Sequence, residues 1–554
     1  MKDDRNESPS SKLLKGAAVL AIAAVVTKLL GTLQKIPLQN IGGDGVFGIY
    51  NTVYPFYMMI ITLATAGFPT AISKFVAERH VSGEEAGKRA VLRMASLVMG
   101  VLGLAGFAVL YFGAPLLSKA IGSSQLIPAL QSAAPALLFI PLSAAIRGYY
   151  QGLQDMVPTA VSQVTEQAIR VAVMIVLLIY LTGQGAADDV IAGGAFAGSA
   201  AGGAAGLLVM LLYWRRGLKP RPTSNAATAA STGQEHIVRI SSLEENSGAR
   251  LLLSMLAYAI PVCLAALAIP LISLVDTFTL PRLLQMRTLD ELQAMVEVGV
   301  YNRGIPLVQL ITMLASSLSV LFIPALTELK IKGDGEGIQQ QITVALRWFG
   351  LIGLAASAGL ALLAKPINVM LYEDATGSAT LAWIAWTAAP GALVAVTAAL
   401  LQGLGHVRAP ALHLLAAAAL KTALNALLVP PLGITGAAIA GIAAYSAAAA
   451  LNLALLVRRG GLARRPRGAW LRPVAALLAM ACAVLLVRLA AGALPLGHGR
   501  LAAAAESLLG VAGGAAVFAA AVLRLRLLSA AELAAVLRAM PRLHKALRRL
   551  RLLA

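Results

Sequence analysis

Residues 46–72, VFGIYNTVYPFYMMIITLATAGFPTAI, run for 27 positions without one charged side chain. About 20 apolar residues in a helix cross the roughly 30 Å of hydrocarbon in a bilayer. A helix with no polar face has lipid or protein interior as its natural surroundings. The rest of the chain has the same character. Of its 554 residues 58% are apolar and 13% charged, against about 25% charged in soluble domains, and mean hydropathy is +0.78.

Spans of this kind are expected at 14–36, 46–72, 90–113, 124–146, 157–182, 189–213, 251–275, 302–326, 341–363, 378–402, 409–429, 433–457, 470–492 and 502–523. The fold class is therefore an all-α integral membrane protein of about fourteen helices. Cytoplasmic loops collect Lys and Arg. With the amino terminus placed inside, and cations near a span edge counted with the adjoining loop, 34 of the 45 cations fall in inside segments and 8 in outside segments. The other three, Lys28, Arg170 and Lys421, lie within spans. This distribution predicts a multi-pass cell-membrane protein with both termini cytoplasmic.

The net charge of +20 is thereby assigned to loops facing anionic lipid head groups. It is not assigned to nucleic acid, because no basic stripe is interleaved with stacking aromatics. In the tail, Leu533, Val536, Leu537, Met540, Leu543 and Leu547 share one helical face, and Arg538, Arg542, Lys545, Arg548 and Arg549 surround the other. Such a segment reads either as an interfacial helix bent at Pro541 or as a solvated basic tail.

Cys263 and Cys482 both fall in spans and offer neither a disulfide framework nor ligand spacing, and the six histidines are scattered. No phosphate-binding loop, zinc motif or nucleophile elbow occurs. These readings point away from an enzyme and from any cofactor or metal. The first apolar run contains Lys28 and lacks a small-residue cleavage site, so it reads as a span and not as a removed signal.

Two halves of the chain resemble each other. GFPTAISKFVAE (67–78) and RGYYQGLQDMVPTAVSQVTEQAIRV (147–171) correspond to LFIPALTELK (321–330) and LLQGLGHVRAPALHLLAAAALKTAL (400–424). Gln151 and Gln402 stand 251 apart, as do Arg170 and Lys421. Six spans separate equivalents, which makes the repeats parallel. The expected organisation is an N-lobe at 1–213, a cytoplasmic linker at 214–250, a C-lobe at 251–457, two further spans at 458–523 and a basic amphipathic tail at 524–554.

With LLKGAAVLAIAAVVTKLLG (13–31), RGYYQG, PTAVSQVTEQAIR, VYNRGIPLVQL and LFIPALTE, the chain resembles the polysaccharide-biosynthesis branch of the MATE-like (MOP) exporter superfamily. Within it, the similarity is to YtgP/MurJ-type lipid II flippases and the stage V sporulation protein B branch, over about residues 12–460. The resemblance implies a monomeric flippase working by alternating access. Its cargo is an undecaprenyl-pyrophosphate-linked precursor, lipid II or a related lipid-linked oligosaccharide, moved from the inner to the outer leaflet. The alternative is a cation-coupled exporter of small molecules or drugs, but such exporters favour acidic cavities and the charges within these spans are mainly basic.

The family's cavity cations carry over to Lys28, in Thr27-Lys28-Leu29-Leu30-Gly31, and to Arg303, in Tyr301-Asn302-Arg303-Gly304. Lys35 stands near a further family cation, beside Gln34. An ionisable residue within a span costs at least about 2.5 kcal/mol, so it faces a cavity or a partner. Lys28 reads as cavity-lining or as snorkelling. Arg170 follows Glu166 by four residues, the order of a helical ion pair, and is read as structural or as a cavity cation together with Lys421. Relatives hold Na+ near the corresponding helices, so Asp276, Asn425 and Thr435 are a candidate cation site for a coupling Na+, with H+ as the other candidate ion.

Overall fold

The computed structural model describes residues 9–65, 67–217, 248–287, 290–461, 471–493 and 499–527, and these form helices with no strand among them. Most of the expected linker and of the basic tail lie outside the described residues. Among the described residues, twelve helices are long and apolar enough to cross a membrane. The count differs from the expected fourteen at two places. Ala18–Val81 is one apolar run holding the first two expected spans, and the expected span 251–275 divides into two helices at Leu267. Pro270 has no N–H to give to the carbonyl of Ala266, where the first of them ends.

The chain forms two compact units. The first, Met1–Gln285 with Leu289–Gly299, contains α1 (Pro9–Leu33), α2 (Lys35–Thr65), α3 (Phe68–Val81), α4 (Glu85–Phe112), α5 (Ala114–Ile121), α6 (Leu126–Ala133), α7 (Ala136–Gly152), α8 (Val157–Gly183), α9 (Asp188–Gly217), α10 (Gly248–Ala266) and α11 (Ala268–Gln285). Its centre is Phe196 of α9. The ring stacks on Tyr50 at 4.4 Å and meets Tyr57 edge-on at 5.9 Å, among Leu126, Leu130 and Leu137. The repeat reading places 251–285 in the second lobe, yet α10 and α11 group with the first unit. Gly67 has no Cβ, so the carbonyl of Ala259 comes within 2.2 Å of where one would stand. The Gly67 amide also donates to Cys263 Sγ at 3.2 Å, and Thr277 Oγ1 donates to the carbonyl of Thr52.

The helix α12 (Glu291–Asn302) leads into the second unit. That unit contains α13 (Ile305–Ser319), α14 (Phe322–Ile331), α15 (Gly335–Leu362), α16 (Ala364–Tyr372), α17 (Ser378–Ala385), α18 (Ala388–Gly403), α19 (Ala409–Leu432), α20 (Ile434–Gly460), α21 (Leu471–Ala493) and α22 (Arg500–Arg524). Leu326, Ile342, Val396, Leu400, Leu404 and Leu456 form one of its cores.

The internal repeat is visible in the backbone. The helices α4 and α15 both have 28 residues, and α6 and α17 both have 8. Left-handed positions recur at matching points: Gly83 with Gly333, Gly122 with Glu373, and Gln154 with Gly405. Each such residue ends a helix where the chain must reverse, a step glycine takes without steric penalty.

Candidate functional site

In lipid, helices gain little from burying apolar surface against each other, so small residues that allow close approach matter most. On α9, Gly198, Gly202 and Gly206 fall on one face at four-residue spacing. A Cβ at Gly198 would lie 2.5 Å from the carbonyl of Arg170, and one at Gly202 would lie 2.5 Å from that of Glu166. At Gly206 it would lie 3.0 Å from Arg147 Nη2. This ladder lets α8 lie flush on α9 and brings three charged side chains together.

Glu166 is the hub. Its Oε2 accepts from Arg147 Nη2 of α7 at 2.7 Å and its Oε1 from Arg170 Nη2 at 2.9 Å. Arg147 is fixed further by Ser162: its Nη2 and Nε donate to Ser162 Oγ at 2.8 and 3.2 Å, and Ser162 in turn donates to the carbonyl of Gly206. Arg170 Nη1 donates to Gln167 Oε1, and Gln167 donates to Gln34 beside the end of α1. Arg170 Nε has no hydrogen-bond partner among the described residues.

These groups line a cavity of about 320 Å³ in the first unit. Its apolar wall is Met58, Ile61, Ile140 and Ala144, and its polar wall is Arg147, Gln151, Gln163, Glu166 and Arg170. Two guanidinium groups against one carboxylate leave one positive charge in excess. The expected Glu166–Arg170 pair is present. Arg147 is the member that sequence reasoning missed, because it lies 19 residues before Glu166 and on another helix.

The other candidates stand elsewhere. Lys28 is exposed on α1. Lys35 is buried, its ammonium 5.3 Å from the centre of the Tyr54 ring. Arg303 is 1% exposed, but its charge is matched. Nη1 and Nη2 reach Asp374 Oδ1 and Oδ2 at 2.7 and 3.0 Å, the Tyr372 ring lies 5.5 Å away, and Tyr372 Oη donates to the Arg303 carbonyl. Lys421 is buried in α19. Of the proposed cation ligands, Asp276 belongs to the first unit and Asn425 and Thr435 to the second. Asn425 is fully buried, and the Thr435 hydroxyl bonds that of Thr380 at 3.0 Å. Among the described residues no cluster of His, Cys, Asp or Glu could hold a metal ion.

Comparison with known proteins agrees with this architecture. The chain is 34% identical over 523 residues to the uncharacterized membrane protein YabM of Bacillus subtilis (strain 168), covering 94% of each. It is 27% identical to the lipid II flippase MurJ of the same organism, covering 82% of this chain and 84% of that one. The identity to stage V sporulation protein B is 26%, with 77% and 80% covered. Among solved structures, an inward-facing multidrug resistance MATE family transporter of the MOP superfamily matches with a TM-score of 0.63 at 16% identity, covering 80% of this chain and 98% of that one. The lipid II flippase MurJ in an inward closed conformation matches with a TM-score of 0.61 at 14% identity, covering 92% and 99%. The model of the polysaccharide biosynthesis protein family matches residues 13–330, and the chain belongs to that family.

Proposed function

We propose that this protein is a flippase for a polyprenyl-pyrophosphate-linked cell-wall precursor, lipid II or a related lipid-linked oligosaccharide, carried from the inner to the outer leaflet by alternating access. The observation that carries the reading is the excess positive charge of the Arg147–Glu166–Arg170 cavity. A pyrophosphate entering a medium of low dielectric loses hydration worth several kcal/mol at least, and fixed guanidinium groups offset that loss. Arginine suits the task because its planar fork matches phosphate oxygens. Arg147 holds the triad to α9 through Ser162, and Arg170 carries the remaining donor capacity. Lys28 is the second cation assigned to the cargo, exposed on the helix that packs along α8. Family membership and the similarity to a lipid II flippase over most of the chain support the same substrate class.

The test is complementation. Expressed while a cell is depleted of its lipid II flippases, the protein restores growth and surface exposure of lipid II. Lowered sensitivity to ethidium or norfloxacin, with lipid II held inside, would instead assign it to drug export.

A further inference from the structure

Glu373 occupies a left-handed backbone position with φ of 72° at the carboxyl end of α16. Its equivalent in the first unit is Gly122, with φ of 100°. A side chain with a Cβ is disfavoured there and persists where its surroundings hold it. What holds Glu373 is Arg500, the first residue of α22. Arg500 is itself out of place by the helix-dipole rule, which disfavours a cation in a helix's first turn. Its fork is turned onto the end of α16: Nε donates to the carbonyl of Met370 at 2.9 Å, Nη2 to that of Leu371 at 3.4 Å, and Nη1 to the Glu373 carboxylate. A cation from α22 thus caps α16, where the dipole favours it. The adjacent residue, Asp374, holds Arg303 at the break between α12 and α13 through both carboxylate oxygens.

We propose that Glu373 and Asp374 are positioning residues: neighbouring carboxylates on one turn that tie the start of α22 and the helix break at Arg303 to the end of α16, so that the two move together. Two residues that each run against a local rule, Glu373 at positive φ and Arg500 at a helix start, satisfy each other. The hairpin of α21 and α22 has a second attachment. Arg488 pairs with Glu506 at 3.2 Å and donates to the carbonyl of Leu362, the last residue of α15, just before α16 begins. Releasing the turn therefore loosens the hairpin at one end without detaching it.

Hydrogen–deuterium exchange on the full chain in lipid nanodiscs tests the tie. Glu373→Gly keeps the turn geometry and removes the carboxylate. Asp374→Asn removes the charge facing Arg303. Each variant is expected to speed amide exchange about tenfold at both 500–508 and 301–308, because local opening at either attachment frees the other. Glu373→Asp, which retains a carboxylate, is expected to stay within about threefold of the parent at both places. An increase confined to the segment facing the altered side chain, or no increase, would overturn the proposal.

Discussion

Arg147 and Glu166, on neighbouring helices of the first unit, form an ion pair of 2.7 Å whose carboxylate is shared with Arg170 one turn further along α8. Burying one carboxylate between two guanidinium groups makes each charge depend on the other two. Removing a single partner of a buried pair costs about 3–5 kcal/mol, whereas replacing the whole set by neutral groups costs far less.

Glu166→Gln is therefore expected to lower the amount of folded protein and its melting temperature in detergent. Arg147→Gln combined with Glu166→Gln and Arg170→Gln is expected to recover most of both, because no unmatched charge remains. Lower stability of the triple variant than of Glu166→Gln would contradict this account of the triad.

The α8–α9 contact depends on the absence of side chains. A Cβ at Gly202 would stand 2.5 Å from the carbonyl of Glu166 and 2.8 Å from Arg170 Cβ. Gly202→Leu must push the helices apart, at a cost of about 1–3 kcal/mol or more, and it separates Ser162 of α8 from the Gly206 carbonyl of α9. At Gly183, by contrast, no atom lies within 4 Å of the added carbon, so Gly183→Ala serves as the control. Melting temperatures of the two variants decide the point.

The turn at Asp374 supplies a pH dependence. The hydrogen bond from Arg303 is the largest influence holding its carboxyl down, from an ordinary value of 3.8 to about 2. A carboxylate with a depressed value in the folded state stabilises fully above its unfolded value and loses that contribution as the pH falls toward the folded one. The parent is thus expected to melt higher than Asp374→Asn at pH 7, with the gap closing between about pH 3.8 and 2. A gap unchanged across that window would remove the Arg303–Asp374 pair from the stability of the second unit.

The membrane class, most of the helical spans and the repeat were legible because each rests on periodicity or composition. The Gln151–Gln402 and Arg170–Lys421 spacings anticipate helices of equal length and left-handed turns at matching places. The Glu166–Arg170 pair was legible because both residues lie on one helix, four apart. Arg147 and Asp374 were not legible. Their partners, Glu166 and Arg303, lie 19 and 71 residues away on other elements, and no local spacing encodes a contact made by tertiary packing. For the same reason Arg303 read as a cavity cation, although the chain itself provides its counter-ion. The grouping of α10 and α11 with the first unit was likewise hidden, since the repeat marks where a second copy begins and not which helices it packs against.

The orientation drawn from the Lys and Arg distribution is open to labelling. In a chain with Cys263 and Cys482 replaced by Ser, a cysteine at the exposed end of α8, Gln184, is expected to react with an impermeant maleimide in intact cells. A cysteine at exposed Ser82, after α3, is expected to react only after permeabilisation. The reverse pattern would invert the topology and place the RGYYQG end of the cavity outside.

The most direct test of the central claim uses purified protein in vesicles carrying fluorescent lipid II in both leaflets, with loss of the inner signal to an external quencher as the readout. The protein is expected to make the inner pool accessible. Lys28→Ala is expected to slow that exchange at equal protein content, and Lys28→Arg to sustain it, since a guanidinium retains the charge and adds a planar fork. Vesicles in which the parent protein leaves the inner pool protected, while it drives uptake or release of a cationic dye, would contradict the assignment to lipid-linked precursors.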